Sequence, residues 1–220
     1  DVGKIYAVNT LGAVIGTFAA GFFLIPTIGA QATLKLASVL NLATGAVLIL
    51  GSVKRFPVRT WLPWTIVTAA GLGAAYVTPP WDPTTMSSGV AIYGPRLSST
   101  SATVGLDQAK VNTDLLFYED GVSATVTVHR DNRNTYLRVN GKTDASTGGD
   151  MHTQLMLGHL PLLVLPNPKS VAIIGLGSGV TAAAVARYGV ERIDVIEIEP
   201  AVVRASHFFE KVNRNVLKDP

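Results

Sequence analysis

The sequence has no cysteine and few charged side chains. Because thiols are absent, disulfide bonds and cysteine metal sites are excluded. Asp, Glu, Lys and Arg make up 15% of the 220 residues, the formal net charge is +3 and the mean hydropathy is +0.34. No run of lysine or arginine occurs, so the composition does not indicate a nucleic-acid partner. No histidine stands at a metal-ligand spacing, and we interpret three of them as structural: His152, His159 and His207.

Three long segments lack charge altogether: residues 5–28, 36–53 and 60–81. A helix needs about 20 apolar residues to cross the ~30 Å hydrocarbon core of a bilayer. These segments therefore predict about three transmembrane helices within residues 1–81, a multi-pass membrane location and the lipid bilayer as a partner. The alternative is a set of buried helices in a large soluble domain.

The side of the membrane on which the rest of the chain lies stays open. Lys54, Arg55 and Arg59 lie between the second and third predicted spans, and the positive-inside rule assigns that loop to the cytoplasm. The third span would then carry the following residues to the outer side, away from cytosolic nucleotides. Because Asp1 is not an initiator methionine, we expect a fragment of a longer protein, and upstream helices could reverse this orientation.

The middle of the chain predicts a linker followed by a small β domain. Residues 82–114 are rich in Pro, Ser, Thr and Gly, a composition that is typical of linkers. Residues 115–150 contain the turn signals "DNRN" and Asn140-Gly141, which predict antiparallel hairpins. Apolar positions alternate with polar ones at Val122, Ala124, Val126 and Val128. This alternation predicts a half-buried strand.

Residues 151–220 predict the front half of a Rossmann-like α/β fold. Apolar residues at helical spacing fill positions 151–164. The stretch "SVAIIGLGSGVTAAAV" then combines a short buried strand, a glycine-rich loop and a helix, and "ERIDVIEIE" predicts a second strand. Pro200 starts the next helix. The fold class is therefore mixed: N-terminal transmembrane α-helices, a small antiparallel β unit and an incomplete nucleotide-binding α/β domain.

The glycine loop and the acidic end of the second strand predict a nucleoside site. Glycines let the backbone turn sharply and approach a ligand, and a carboxylate can accept hydrogen bonds from both ribose hydroxyls. Glu197 follows Gly175 by 22 positions. Val180 occupies the place of the third glycine in the dinucleotide pattern GxGxxG, which favours an S-adenosyl ligand. A glycine turn without ligand is the alternative for the loop, and a helix cap is the alternative for Glu199.

From Leu115 to Pro220 the sequence resembles the spermidine synthase family of polyamine aminopropyltransferases. The resemblance rests on the stretches "LLFYEDGVSATVTV", "LRVNGKTDAS", "DMHTQLMLGHLPLLVLPNPKSVAIIGLGSGV" and "VIEIEPAVV". The hydrophobic spans look like those of the membrane-fused members. The resemblance implies decarboxylated S-adenosylmethionine as co-substrate, no tightly bound cofactor and a diamine such as putrescine as acceptor. It leaves homo-oligomerisation open.

The resemblance also implies which residues form the site. The expected nucleotide contacts are Gly175, Gly177, Ser178, Gly179, Glu119, Glu197 and Glu199. The residues expected near the substrates are Thr153, Gln154 and Asp150.

Two departures from the family pattern keep other functions open. Ser178 stands where the family carries an aspartate that holds the cationic donor. Because a methyl donor carries its own carboxylate, an S-adenosylmethionine-dependent methyltransferase is the alternative. The family's catalytic carboxylate is expected beyond Pro220, so we expect residues 1–220 to be inactive by themselves. A non-enzymatic alternative is a membrane protein whose degenerate nucleotide domain acts as a sensor or structural partner.

Overall fold

A computed structural model describes residues 2–52, 57–90, 92–93, 113–165 and 167–218. The predicted basic loop at Lys54 and Arg55, residues 94–112 of the predicted linker and Pro220 lie outside the described residues. The chain divides into two units, Asp1–Trp81 and Asp82–Pro220, and each is described by itself.

The first unit is helical. Its elements are α1 (Val2–Ala19), a π-helical turn (Ala20–Leu24), α2 (Ile25–Ile28), α3 (Ala30–Ser52) and α4 (Val58–Val77). Pro26 explains the π-helical turn, because a proline inside a helix lacks its N–H and crowds the carbonyl four residues earlier. Gly29 ends the segment with a φ of 82°, which glycine adopts without strain.

Helices α3 and α4 pack closely and are tied together by polar contacts. A Cβ at Gly71 would lie 3.0 Å from the Leu42 side chain, so the small residue permits the close approach. At the end of α4, Lys35 Nζ donates to the Thr78 carbonyl over 2.7 Å. Gln31 donates to the Pro79 carbonyl over 2.7 Å. These contacts satisfy carbonyls that a helix C-terminus leaves without an intrahelical partner.

Two helical segments of the described chain are long and apolar enough to cross a membrane: Val2–Ile28 and Ala30–Gly51. The prediction of three spans is therefore corrected to two. Helix α4 forms over the third predicted segment, but it does not pass the same test of length and hydropathy. The physical reason is its composition, since Arg59, Pro63 and several Trp, Thr and Gly residues lower its hydropathy.

The second unit begins with a short helix, α5 (Pro83–Met86), that Asp82 caps through the Thr84 amide at 3.0 Å. The residues after it contact the sheet that follows. The Ser87 carbonyl accepts a hydrogen bond from Arg138, and the Tyr93 hydroxyl accepts one from the Thr143 amide at 3.1 Å. The first part of the predicted linker is therefore packed on the β domain.

Four antiparallel strands form a meander in the order β1 (Asp114–Asp120), β2 (Thr125–Arg130), β3 (Thr135–Val139) and β4 (Lys142–Ser146). The turn between β3 and β4 is Asn140-Gly141, with φ angles of 50° and 81°. Both angles are positive, as a two-residue hairpin turn requires. The predicted antiparallel hairpins are observed.

The α/β part follows the predicted order. Its elements are α6 (Met151–Val164), β5 (Ser170–Ile174), α7 (Val180–Val185), β6 (Arg192–Ile196), α8 (Pro200–Ala205) and α9 (Glu210–Asn213), with 3-10 turns at Ala186–Tyr188, Ser206–Phe209 and Val216–Lys218. Strands β5 and β6 are parallel, with Ser170 opposite Arg192. One core joins this part to the antiparallel sheet; it contains Val126, Val128, Leu137, Ala145, Leu176, Ala201, Val202, Ala205 and Phe209.

Candidate functional site

The glycine-rich loop connects the end of β5 to the start of α7. Gly175, Gly177 and Gly179 have φ angles of 86°, 57° and 82°, which residues with a side chain rarely adopt. The Gly175 amide donates to the Ile196 carbonyl at 2.8 Å, so the loop begins in register with β6. The three glycines are therefore required by the backbone itself, and the loop lies beside the end of the second parallel strand.

Glu197 follows β6 and contacts this loop, as its spacing predicts. Its carboxylate accepts hydrogen bonds from the Leu176 amide at 2.8 Å and the Glu199 amide at 3.0 Å. A carboxylate offers about four acceptor positions. Glu197 therefore retains the capacity to accept hydrogen bonds from a ligand bound at the loop.

Glu199 has a different environment and is only 3% exposed. One oxygen accepts hydrogen bonds from the Ser123 amide and hydroxyl, both at 2.8 Å, and from the Ala124 amide at 3.3 Å. The other accepts from the Ala201 amide at 3.1 Å, which caps α8. Burial by itself raises the pKa of Glu199, but these hydrogen bonds outweigh it and lower the pKa. With about four donors on the carboxylate, the geometry corresponds to the helix-cap alternative.

Gln154 and Asp150 come together with the loop residue Ser178. The Gln154 amide nitrogen donates to the Ser146 carbonyl at 2.8 Å and to Asp150 at 2.9 Å. The Gln154 carbonyl accepts a hydrogen bond from the Ser178 hydroxyl, and Asp150 accepts one from the Ser146 hydroxyl. The backbone of the same helix turn holds α7, because Thr181 donates to the Gln154 carbonyl at 2.9 Å. The network thus connects β4, α6 and the glycine loop.

Two of the expected site residues lie outside this network. Glu119 on β1 forms a two-point ion pair with Arg204 on α8, with one distance of 2.9 Å. This pairing raises the pKa of Arg204. Thr153 is exposed on another face of α6, in an open apolar depression that Met156 and Leu160 also line. The described contacts do not bring either residue to the loop.

The histidines interpreted as structural have local partners where the structure gives them. His159 contacts the Tyr188 hydroxyl at 3.0 Å, and His207 lies 3.4 Å from Glu210. Sequence reasoning did not single out Ser123 or Ser146, the donors to Glu199 and Asp150. Ser146 lies four positions before Asp150, whereas no local pattern relates Ser123 to a carboxylate 76 positions away.

Comparisons with known proteins agree with the resemblance seen in the sequence. The family model described as the spermine/spermidine synthase domain matches residues 151–220. Polyamine aminopropyltransferase 1 of Streptomyces coelicolor is 25% identical over 227 residues, which cover 100% of this chain and 40% of that protein. Putrescine N-methyltransferase 2 of Nicotiana attenuata is 46% identical over 63 residues, which cover 28% of this chain and 17% of that protein.

A solved structure of spermidine synthase in complex with the transition state analogue AdoDATO aligns with 48% of this chain and 38% of that chain, at 23% identity and a TM-score of 0.45. The chain thus spans well under half the length of the relatives it matches. Through residues 151–220, this chain is a member of the spermidine synthase family.

Proposed function

We propose that the chain carries the donor-binding half of a transferase that moves an aminopropyl group from decarboxylated S-adenosylmethionine to a diamine such as putrescine. The carrying observation is the contact between the Glu197 carboxylate and the Leu176 amide of the glycine loop at 2.8 Å. It combines a carboxylate with spare acceptor positions and a loop whose backbone can approach a ligand. The names of the relatives support the class of substrate.

The roles of the site residues follow from their contacts. Glu197 would accept hydrogen bonds from the ribose hydroxyls, and the loop of Gly175, Gly177 and Gly179 would lie against the nucleoside. Glu199 would act at a distance, because its acceptor positions hold the β1–β2 turn and α8. The remaining network residues would hold the loop, and they are Asp150, Gln154 and Ser178.

The proposed chemistry is a single displacement. The amine nitrogen attacks the carbon attached to the sulfonium sulfur, a C–N bond forms and the C–S bond breaks. Its electron pair stays on sulfur, so methylthioadenosine leaves as a neutral thioether, and the amine loses one proton. The protein would contribute orientation of the two reactants and a proton acceptor. We assign the proton acceptor to none of the described residues.

Methyl transfer from S-adenosylmethionine is the second candidate. Ser178 presents no charge to a cationic donor, and its hydroxyl is bound to the neutral Gln154 side chain. The 46% identity to a putrescine N-methyltransferase over 63 residues supports the same alternative. Both candidates use an S-adenosyl donor and an amine acceptor, so the choice between them lies in the charge of the donor's tail.

Calorimetric titration of the chain distinguishes these functions. Decarboxylated S-adenosylmethionine, S-adenosylmethionine and methylthioadenosine are titrated into the wild type, Glu197→Gln and the control Glu191→Gln, which alters an exposed carboxylate. We expect the decarboxylated donor to bind more tightly than S-adenosylmethionine, and Glu197→Gln to weaken binding at least about tenfold. Tighter binding of S-adenosylmethionine would favour methyl transfer. If none of the three bound, the donor-binding function itself would be contradicted.

We also propose that the first unit attaches the protein to a lipid bilayer. The two segments that support this are Val2–Ile28 and Ala30–Gly51, with mean hydropathies of 1.9 and 1.7 in their most apolar windows. None of the side chains in these windows is buried within the described chain. Extraction of cell membranes at alkaline pH tests the proposal: the chain should stay in the membrane pellet. Its release into the supernatant would contradict attachment by spanning helices.

A further inference from the structure

Asn213, the last residue of α9, is a buried polar side chain that reaches the glycine loop. It is 3% exposed. Its Nδ2 donates to the Ser178 carbonyl at 2.8 Å and to the Ser206 carbonyl at 2.9 Å. Its Oδ1 accepts a hydrogen bond from the Asn215 amide at 3.0 Å. Both N–H groups of the side-chain amide are therefore used, and one of them holds the backbone of the loop.

The side chain of Asn213 also packs against the loop. A Cβ at Gly179 would lie 3.2 Å from the Asn213 Cβ and Nδ2, so the glycine and the asparagine are in direct contact. Ser178 is consequently held from two directions. Its hydroxyl donates to Gln154, and its carbonyl accepts from Asn213.

The position of this contact in the loop gives it its importance. Ser178 lies between Gly177 and Gly179, whose φ angles are 57° and 82°. Glycine has more backbone freedom than any other residue, so the peptide units on either side of Ser178 could otherwise take several orientations. A hydrogen bond to the Ser178 carbonyl fixes the plane of the peptide that joins Ser178 to Gly179, and hence the direction of the Gly179 N–H.

We propose that Asn213 is a positioning residue of the glycine loop and sets its affinity for an S-adenosyl nucleoside. The inference rests on the proposed function, because it assumes that the loop binds this class of ligand. Asn213 acts through the Ser178 carbonyl and contacts no ligand atom itself. Its two N–H donors serve two carbonyls, a role that a carboxylate of the same shape cannot fill because it only accepts.

Asn213→Asp tests this proposal, and Asn215→Asp is the matched control. Both substitutions are nearly isosteric and lie on the same segment, but the described contacts link only Asn213 to the loop. Methylthioadenosine affinity is measured by calorimetry well below the unfolding temperature of each variant. We expect Asn213→Asp to weaken binding about tenfold and Asn215→Asp to change it less than about twofold. Equal affinities of wild type and folded Asn213→Asp would overturn the proposal.

Hydrogen exchange of residues 177–180 supplies a readout that needs no ligand. Exchange should be faster in Asn213→Asp than in Asn215→Asp, because only the first change frees the Ser178 carbonyl. Unchanged exchange would contradict the inference even if the wild type bound no nucleoside, whereas absent wild-type binding alone would contradict the proposed function. If Asn213→Asp does not fold, Asn213→Ser, which keeps one donor, takes its place in both measurements.

Discussion

Ser123 donates two 2.8 Å hydrogen bonds, from its amide and its hydroxyl, to one oxygen of Glu199, 76 positions later in the chain. The same carboxylate caps α8 through the Ala201 amide. One buried side chain therefore joins the β1–β2 turn to the helix that follows the acidic strand end. The antiparallel sheet is held to the α/β part at the point where Glu197 reaches the glycine loop.

Replacing Glu199 by glutamine should destabilise the fold. The glutamine NH2 group would meet backbone N–H donors and leave at least one of them unsatisfied, so we expect a loss of about 2–4 kcal/mol in the free energy of unfolding. Urea denaturation measures it. Glu191→Gln is the control, since Glu191 lies 3.6 Å from Lys169 in an exposed ion pair and should change stability by less than about 0.5 kcal/mol. Equal effects of the two substitutions would show that the buried contact contributes little.

Gly121→Ala should disturb the same contact from the other side. A Cβ at Gly121 would lie 2.2 Å from a Glu199 oxygen, so the β1–β2 turn or the carboxylate must move. We expect a loss of about 1–3 kcal/mol, and a loss in the double variant with Glu199→Gln that is smaller than the sum of the two single losses. Gly149→Ala, with nothing within 4 Å of the added Cβ, is the control. Full additivity in the double variant would contradict a shared contact.

Acidification should destabilise the protein through His129. This side chain is 1% exposed, and among the described residues neither ring nitrogen has a hydrogen-bond partner. Burial, followed by the charge of Arg138, lowers its pKa to about 4. Because the unfolded state, with a histidine pKa of about 6.5, takes up the proton first, stability should fall between about pH 6.5 and pH 4, by up to roughly 3 kcal/mol.

Urea denaturation at several pH values checks this loss. His129→Leu should remove the pH dependence in that window without destabilising the neutral-pH protein, since no hydrogen bond within the described chain is lost. The contribution of Glu199, whose pKa is lowered, is present above its unfolded pKa of about 4.5 and is lost only as the pH falls further. An unchanged slope between pH 6.5 and 4.5 in His129→Leu would contradict the assignment to His129.

Glu119→Gln should affect neither stability nor nucleoside binding strongly. Its partner Arg204 is 53% exposed at the side chain, and exposed ion pairs contribute only about 0.2–1 kcal/mol. Methylthioadenosine affinity should stay within about twofold of wild type, as calorimetry can determine. A tenfold loss of affinity at unchanged stability would restore Glu119 to the nucleotide contacts that the family resemblance implies.

The local features of the fold were accessible from the sequence because they depend on neighbouring residues. Asn140-Gly141 predicts a tight hairpin since both positions tolerate positive φ, and the structure has φ angles of 50° and 81° there. The helical spacing over residues 151–164 predicts α6, which spans Met151–Val164. The number of spans was less accessible, because α4 forms a helix whose tryptophans, threonines and arginine lower its hydropathy below that of the first two segments.

The sequence by itself determined the glycine loop, the acidic end of the second strand and their spacing, since backbone conformation and strand length depend on local sequence. Only the tertiary structure separated Glu197 from Glu199. Two positions apart, the first has acceptor capacity left, while the second takes its donors from Ser123 and Ala124 on a distant turn. The contact of Asn213 with the loop was equally inaccessible, because a hydrogen bond between residues 35 positions apart depends on how the elements between them pack.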